Sequence, residues 1–237
     1  MSVHVPSDPR ASALDPVLRQ AGGVLVMHDG HRVVANYGSA AGELAACVSA
    51  VGLADRSDLA ILELAGPSGQ LRHLSQRLTG SEVSPGGAVL SAGGWWCAVT
   101  PGRMLVLCQT RQADRLHAVL RARVARRSAL TLSDRTTQLA ALAVVGHHTS
   151  ALLAELGVYG ESGDPRDVPP LTTHTVAGGE VLWLLESDDR ALALTAAPEA
   201  PAVWHAIERA GRLFGLCAVG QEALARYGLI RRIASPL

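Results

Sequence analysis

The chain of 237 residues carries 21 acidic and 21 basic side chains, and every basic one is arginine; there is no lysine. That absence excludes Schiff-base chemistry, a phosphate-loop lysine and a lysine general base, because a guanidinium stays protonated and is a poor nucleophile. A formal net charge of zero gives no electrostatic footprint for nucleic acid or a membrane surface, and four tryptophans, three tyrosines and one phenylalanine are too few for base-stacking platforms.

The N-terminal stretch MSVHVPSDPRASALDP is polar and proline-rich, with no apolar segment to serve as a signal peptide. No run approaches the ~18 apolar residues of a membrane span, so the expectation is a cytoplasmic chain. Val24 to Val34 (VLVMHDGHRVV) reads as a hairpin turning at Asp29-Gly30, and Ala40 to Val51 as a helix. Leu59 to Leu64 is a strand ending at Gly66, whose tolerance of positive φ suits a turn into a helix with Leu71 and Leu74 on one face. Strands follow at Gly94 to Val99 and Met104 to Cys108, then an amphipathic helix over Ala113 to Arg123. The series then recurs. Leu139 to Val145 is a strand ending at Gly146, followed by a helix carrying Leu152, Leu153 and Leu156 on one face, strands at Glu180 to Leu185 and Ala191 to Thr195, and a helix over Pro198 to Ala210 with proline in its first turn. Between them Gly157 to Pro170 is a proline- and glycine-rich loop.

The recurrence is visible residue by residue. DRSDLAILELAGPSGQLRHL (Asp55 to Leu74) lies over DRTTQLAALAVVGHHTSALLAEL (Asp134 to Leu156), and RMLVLCQTRQADRLHAVLRA (Arg103 to Ala122) over RALALTAAPEAPAVWHAIERA (Arg190 to Ala210), each with one gap. Duplication accounts for both pairs; chance likeness of generic strand-glycine-helix units is the alternative. The expected class is α+β, with two similar lobes of mixed or antiparallel sheet under covering helices. Lobe A spans about 45–126 and lobe B about 127–212, the latter packed with 1–44 and 213–237, so that 1–237 is one unit. A ligand cleft is expected near the lobe interface.

Few residues nominate chemistry alone. His28, Asp29 and His31 surround the hairpin turn but need a third ligand from elsewhere, and the adjacent His147 and His148 point in different directions on a helix, so no metal site is predicted. Cys47, Cys97, Cys108 and Cys217 are far apart without a Cys-x-x-Cys pair and read as free thiols. Cys217, beside a glycine turn, reads either as a reactive thiol or as a buried structural one. Of Trp95 and Trp96, one indole belongs in the core; the other faces outward as an interface residue or a wall for a planar ligand.

The runs YGSAAGELAACVSAVGLADRSDLAILELAGPSG, TLSDRTTQLAALAVVGHHTSALL and APAVWHAIERAGRLFGLCAVGQEAL, in this order from Tyr37 to Tyr227, resemble one family. It is the folate-binding domain shared by glycine-cleavage T protein (aminomethyltransferase), sarcosine oxidase and the iron–sulfur assembly proteins of the YgfZ type. The resemblance implies a tetrahydrofolate-linked one-carbon protein without the C-terminal barrel of the full-length enzymes. It also implies a pterin-contacting carboxylate at Glu186 or Asp188, beside which Trp96 is the candidate ring wall from the strand reading; a solvated acidic turn accounts for ESDDR as well. Departures matter too: Ser84 to Met104, which matches the segment bearing the aminomethyltransferases' acid, contains no acid, so classical transfer is not implied. Against the YgfZ-type signature K-G-C-Y-x-G-Q-E the chain keeps Cys217, Gly220, Gln221 and Glu222, with Arg226 matching a following arginine, while Gly215, Leu216 and Ala218 depart. Two alternatives follow from the resemblance: a non-catalytic subunit like sarcosine oxidase gamma, with a protein partner or as a homo-oligomer, and an iron–sulfur maintenance protein.

Overall fold

A computed structural model describes residues 12–91, 93–126, 129–160 and 162–234. Ahead of the repeats stand α1 (Asp15–Gln20), the hairpin β1 (Val24–His28) and β2 (His31–Asn36), and α2 (Ala40–Ser49). The hairpin turns where expected: Asp29 and Gly30 both have positive φ, 47° and 81°, as a two-residue turn matched to strand twist requires. Ser39 caps α2, accepting the Gly42 N–H at 3.1 Å.

Two copies of one series follow. The first is β3 (Gly52–Asp55), β4 (Leu59–Ala65), α3 (Ser68–Thr79), β5 (Ala88–Ser91), β6 (Gly94–Thr100), β7 (Arg103–Gln109) and α4 (Thr110–Val124). The second is β8 (Thr131–Asp134), β9 (Leu139–Val145), α5 (Thr149–Glu155), β10 (Leu171–Val176), β11 (Gly179–Ser187), β12 (Arg190–Ala196) and α6 (Ala200–Gly211). Pro198 falls in a 3-10 turn, Ala197–Glu199, just before α6. The short β13 (Cys217–Ala218) and α7 (Gln221–Ala234) come last. The class is α+β, as the sequence predicts, and every element of the first copy has its counterpart in the second.

The sheets do not respect the sequence halves. One runs β5-β6-β7-β4-β8 and the other β10-β11-β12-β9-β3-β13, so each copy lends its first strand to the other's sheet. β3 lies antiparallel to β9 (Gly52 opposite Val145) and β8 antiparallel to β4 (Ala65 opposite Thr131). Strand pairing therefore crosses the divide between residues 45–126 and 127–212.

Alternation along the strands builds four layers. In β4, Ala60, Leu62 and Leu64 pack with Leu71 and Leu74 of α3 and Leu116 and Leu120 of α4, while Ile61 turns to the other face. In β9, Leu142 and Val144 pack with Leu152 of α5 and Trp204 of α6, while Ala141, Ala143 and Val145 join Ile61, Leu105 and Leu107 in the space between the sheets. The order is helices, sheet, sheet, helices, and both sheets are buried on both faces, which explains near-continuous apolar strands such as LAALAVV. Gly66 and Gly146 have φ of 150° and 130°, and a Cβ on either would run into a neighbouring backbone carbonyl, of Ala129 or of Cys47. Among the described residues no helix is long and apolar enough to cross a membrane.

Candidate functional site

The gap between the sheets has two ends, related by the duplication. At the first, the β3–β4 turn presents Arg56, only 9% exposed, whose Nε and Nη2 donate to the two oxygens of Asp58 at 2.7 and 3.0 Å. Burial works against the charge on Asp58, but Arg56 and a 2.9 Å hydrogen bond from Gln221 Nε2 outweigh it and hold the carboxyl below its ordinary value. Opposite, β11 bulges between Leu185 and Ser187, and the extra residue is Glu186. A bulge leaves its extra residue without a cross-strand partner. Glu186 keeps the gap-facing parity of Leu182 and Leu184, lies close enough to Arg56 and Cys97 for its charge to act on both, and sits 2.9 Å from Arg190 Nε through Oε2.

Asp188 lies at the exposed tip of the β11–β12 turn, its carbonyl accepting from Ser150 Oγ at 2.6 Å. Trp96, the expected ring wall, is fully buried on the far face of β6, under α3 and α4, with Nε1 donating to the Ser91 carbonyl at 3.2 Å. The indole that faces the gap is the half-buried Trp95. Neither ring has an outward strand face to occupy, because the sheet is covered on both sides.

The tail residues act as a brace. Cys217 pairs with Gly52 in the parallel ladder of β13 and β3, and the Gly220 N–H donates at 2.8 Å to Oε2 of Glu43, itself 6% exposed, whose Oε1 accepts from the Tyr37 N–H at 2.6 Å. Gln221 holds Asp58 as described, Glu222 Oε1 accepts from Asn36 Nδ2 at 3.4 Å, and Arg226 is exposed. One helical turn and more beyond, Tyr227 Oη donates to Asp189 at 2.6 Å and Arg231 lies 2.6 Å from the same carboxylate. Burial, with Glu43 nearby, raises the Cys217 thiol, and burial beside Cys217 pushes Cys47 up to about 12, so both stay protonated at neutral pH. No group of three or more His, Cys, Asp or Glu among the described residues is placed to hold a metal ion.

The second end repeats the first with different side chains. Arg103 heads β7 as Arg190 heads β12, Arg135 follows β8 as Arg56 follows β3, and β6 bulges at Val99 as β11 does at Glu186. Here the carboxylate is Glu63, 8% exposed, accepting from Arg103 Nε at 2.7 Å and Arg135 Nη2 at 2.9 Å. Burial alone would raise Glu63; the two guanidinium hydrogen bonds outweigh it and lower the carboxyl. Sequence reading did not single out these arginines, although the signal was there: all four stand at the heads of the repeated segments.

Asp55 gives this region a pH dependence. It is 7% exposed, and burial pushes its carboxyl from 3.8 up to about 6 against the hydroxyls of Ser57 (2.7 Å) and Ser12 (3.2 Å). A raised carboxyl favours the fold at acid pH: the contribution is complete below 3.8 and is lost as pH rises through about 6. Urea unfolding of the wild type and Asp55→Asn between these limits is expected to show a difference that changes by up to about 3 kcal/mol, the wild type losing relative stability as pH rises. A pH-independent difference would show that Asp55 does not titrate in this window.

The sequence matches no protein-family model, and no curated protein matches it significantly. Solved structures do resemble it. Aminomethyltransferase T of the glycine cleavage system from Bartonella henselae superposes with a TM-score of 0.70 at 16% identity, over 89% of this chain and 59% of that one. The chain has the T-protein fold. A chain of heterotetrameric sarcosine oxidase from Corynebacterium sp. U-96, solved in complex with pyrrole 2-carboxylate, superposes with a TM-score of 0.60 at 16% identity, over 86% of this chain and 96% of that one. The T-protein fold here thus spans less than two thirds of the aminomethyltransferase and nearly the whole of the sarcosine oxidase chain.

Proposed function

We propose that the chain binds a reduced folate of the tetrahydrofolate type and serves one-carbon chemistry as an aminomethyltransferase-like protein, without classical aminomethyl transfer. The observation that carries this reading is the placement of Glu186 by the β11 bulge at one end of the inter-sheet gap of a T-protein fold. Arg190 Nε stands 2.9 Å from Oε2 as an ion pair without hydrogen-bond alignment, neither carboxylate oxygen has a hydrogen bond among the described residues, and 16% of the side chain stays accessible. A carboxylate so placed accepts paired hydrogen bonds from the ring amide and exocyclic amine of a pterin. Arg190 pairs with it in charge, Asp188 at the open tip is a second acceptor, and Trp95 would report binding. Ser84 to Met104 supplies no acid to handle a proton at the one-carbon unit, so these residues bind and orient rather than transfer.

Titration with 5-formyltetrahydrofolate, followed by tryptophan fluorescence and calorimetry, is expected to saturate. Glu186→Gln, which loses the charged acceptor, is expected to weaken binding by about 10- to 100-fold. Absence of binding would sink the folate reading, and unchanged affinity in Glu186→Gln would remove the site assignment.

A second reading, a non-catalytic subunit of a larger enzyme, draws support from the near-complete coverage of the heterotetrameric enzyme's chain and from the apolar side chains that α7 exposes, Leu229 (58%) and Ile230 (42%). It gains if folate fails to bind.

A further inference from the structure

The duplication gives the inter-sheet gap two equivalent ends, and α7, which belongs to neither copy, braces the turns that frame the Glu186 end. Its Ala223, Leu224 and Tyr227 join the inter-sheet core, and Gln221 and Tyr227 bond to the β3–β4 and β11–β12 turns. At the other end a cavity of about 240 Å³ remains between β6 and β7 on one side and β9 to β12 on the other.

Its walls carry opposite charges that do not meet. On the first sheet, Arg103 and Arg135 share the single carboxylate of Glu63, which leaves one positive charge uncompensated. Arg103 uses only Nε in that bond; its terminal nitrogens have no partner among the described residues, and 39% of the side chain is accessible. On the opposite wall, Glu180 of β11 and Glu199 of the 3-10 turn after β12 line the same cavity, and among the described residues neither is paired with a guanidinium. Glu199 has only a long contact, 3.4 Å, from the Thr195 hydroxyl. Between the charged walls Val99, Leu105, Leu139, Leu182 and Leu194 supply an apolar lining, with the hydroxyl-bearing Thr173 and Thr195 beside them.

We propose that this cavity binds a small free α-amino acid with an apolar side chain. A ligand with one charge satisfies one wall and leaves the other unanswered. A zwitterion answers both: its carboxylate takes the fork of Arg103 and its ammonium the carboxylates of Glu180 and Glu199, both charge-assisted contacts. The apolar lining receives the side chain, and the volume, below the ~300 Å³ at which drug-sized pockets begin, suits a molecule of this size. The site shares no residue with the Glu186 end, so it stands or falls independently of the folate reading.

The test is calorimetry of the whole chain with L-leucine, L-leucinamide and N-acetyl-L-leucine. Leucine is expected to bind saturably, and loss of either charge is expected to weaken binding by at least about tenfold. Glu180→Gln combined with Glu199→Gln changes two exposed side chains that hold no structural ion pair and is expected to weaken leucine by a similar factor. Arg103→Gln should do the same, with the double glutamate variant as the arm that does not disturb Glu63. No heat with millimolar leucine, equal binding of leucinamide or of N-acetylleucine, or undiminished binding in the double variant would each overturn the proposal.

Discussion

Gly220→Ala is expected to destabilise the protein by about 3 kcal/mol or more, among the largest effects of any single methyl group in this chain. A Cβ at this position would run into the Ala35 carbonyl and come within 2.6 Å of the Asn36 nitrogen, all backbone of β2. No flexible side chain is available to give way. If α7 shifts to make room, the Gly220 N–H leaves Glu43, and a carboxylate only 6% exposed keeps the Tyr37 N–H alone. The cost is thus steric strain plus partial loss of a charged buried hydrogen bond. Gly228→Ala is the control: it lies within α7, the helix that Gly220 leads into, nothing stands within 4 Å of its Cβ, and alanine there is expected to stabilise by up to about 1 kcal/mol. Urea unfolding followed by circular dichroism separates the two. A near-neutral Gly220→Ala would mean that the tail is not braced against β2. Within the Cys-x-x-Gly-Gln-Glu pattern, Gly220 and Gln221 have packing and hydrogen-bonding partners in this fold.

Arg56→Met is expected to cost about 3–5 kcal/mol. The side chain is 10% exposed and Asp58 12%, so removing the guanidinium leaves an ionised carboxylate in a poorly solvated site with Gln221 as its remaining side-chain partner. Asp58 then titrates upward, and the variant should recover part of its stability as pH falls. Pairing Arg56→Met with Asp58→Leu is expected to restore much of the loss, because two matched apolar side chains avoid the desolvation that the ion pair had to offset. A double-mutant cycle by equilibrium unfolding reads the coupling directly, and additive losses would show that the two residues do not act as a pair.

The repeated layout, the strands at 59–65 and 139–145 with their terminal glycines, and the turn at Asp29-Gly30 were legible because each is a local pattern of period or turn chemistry. The strands GLAD and TLSD were not. Each is four residues long and ends on an acid, and what makes it a strand is a partner in the opposite copy, some ninety residues away for Gly52 and Val145. LTTHTV likewise owes its strand to pairing with β11. At the candidate site, Glu186 could be nominated by resemblance, but the bulge it occupies and the arginines that surround it depend on cross-strand register. The assignment of one tryptophan to an outward face failed because a single strand's alternation does not say whether its sheet is covered on one side or both.

The exchange of β3 and β8 has a consequence for how such a chain is put together. A solitary unit would present β4 or β9 with an unpaired edge and carry a first strand with nothing to lie against. Two solitary units could satisfy both needs only by trading those strands, as a swapped dimer does. The connection across residues 125–130 turns that trade into an intramolecular one, so the two sheets are tied to one another by backbone pairing as well as by the apolar layer between them, and neither can be removed without leaving the other a strand short.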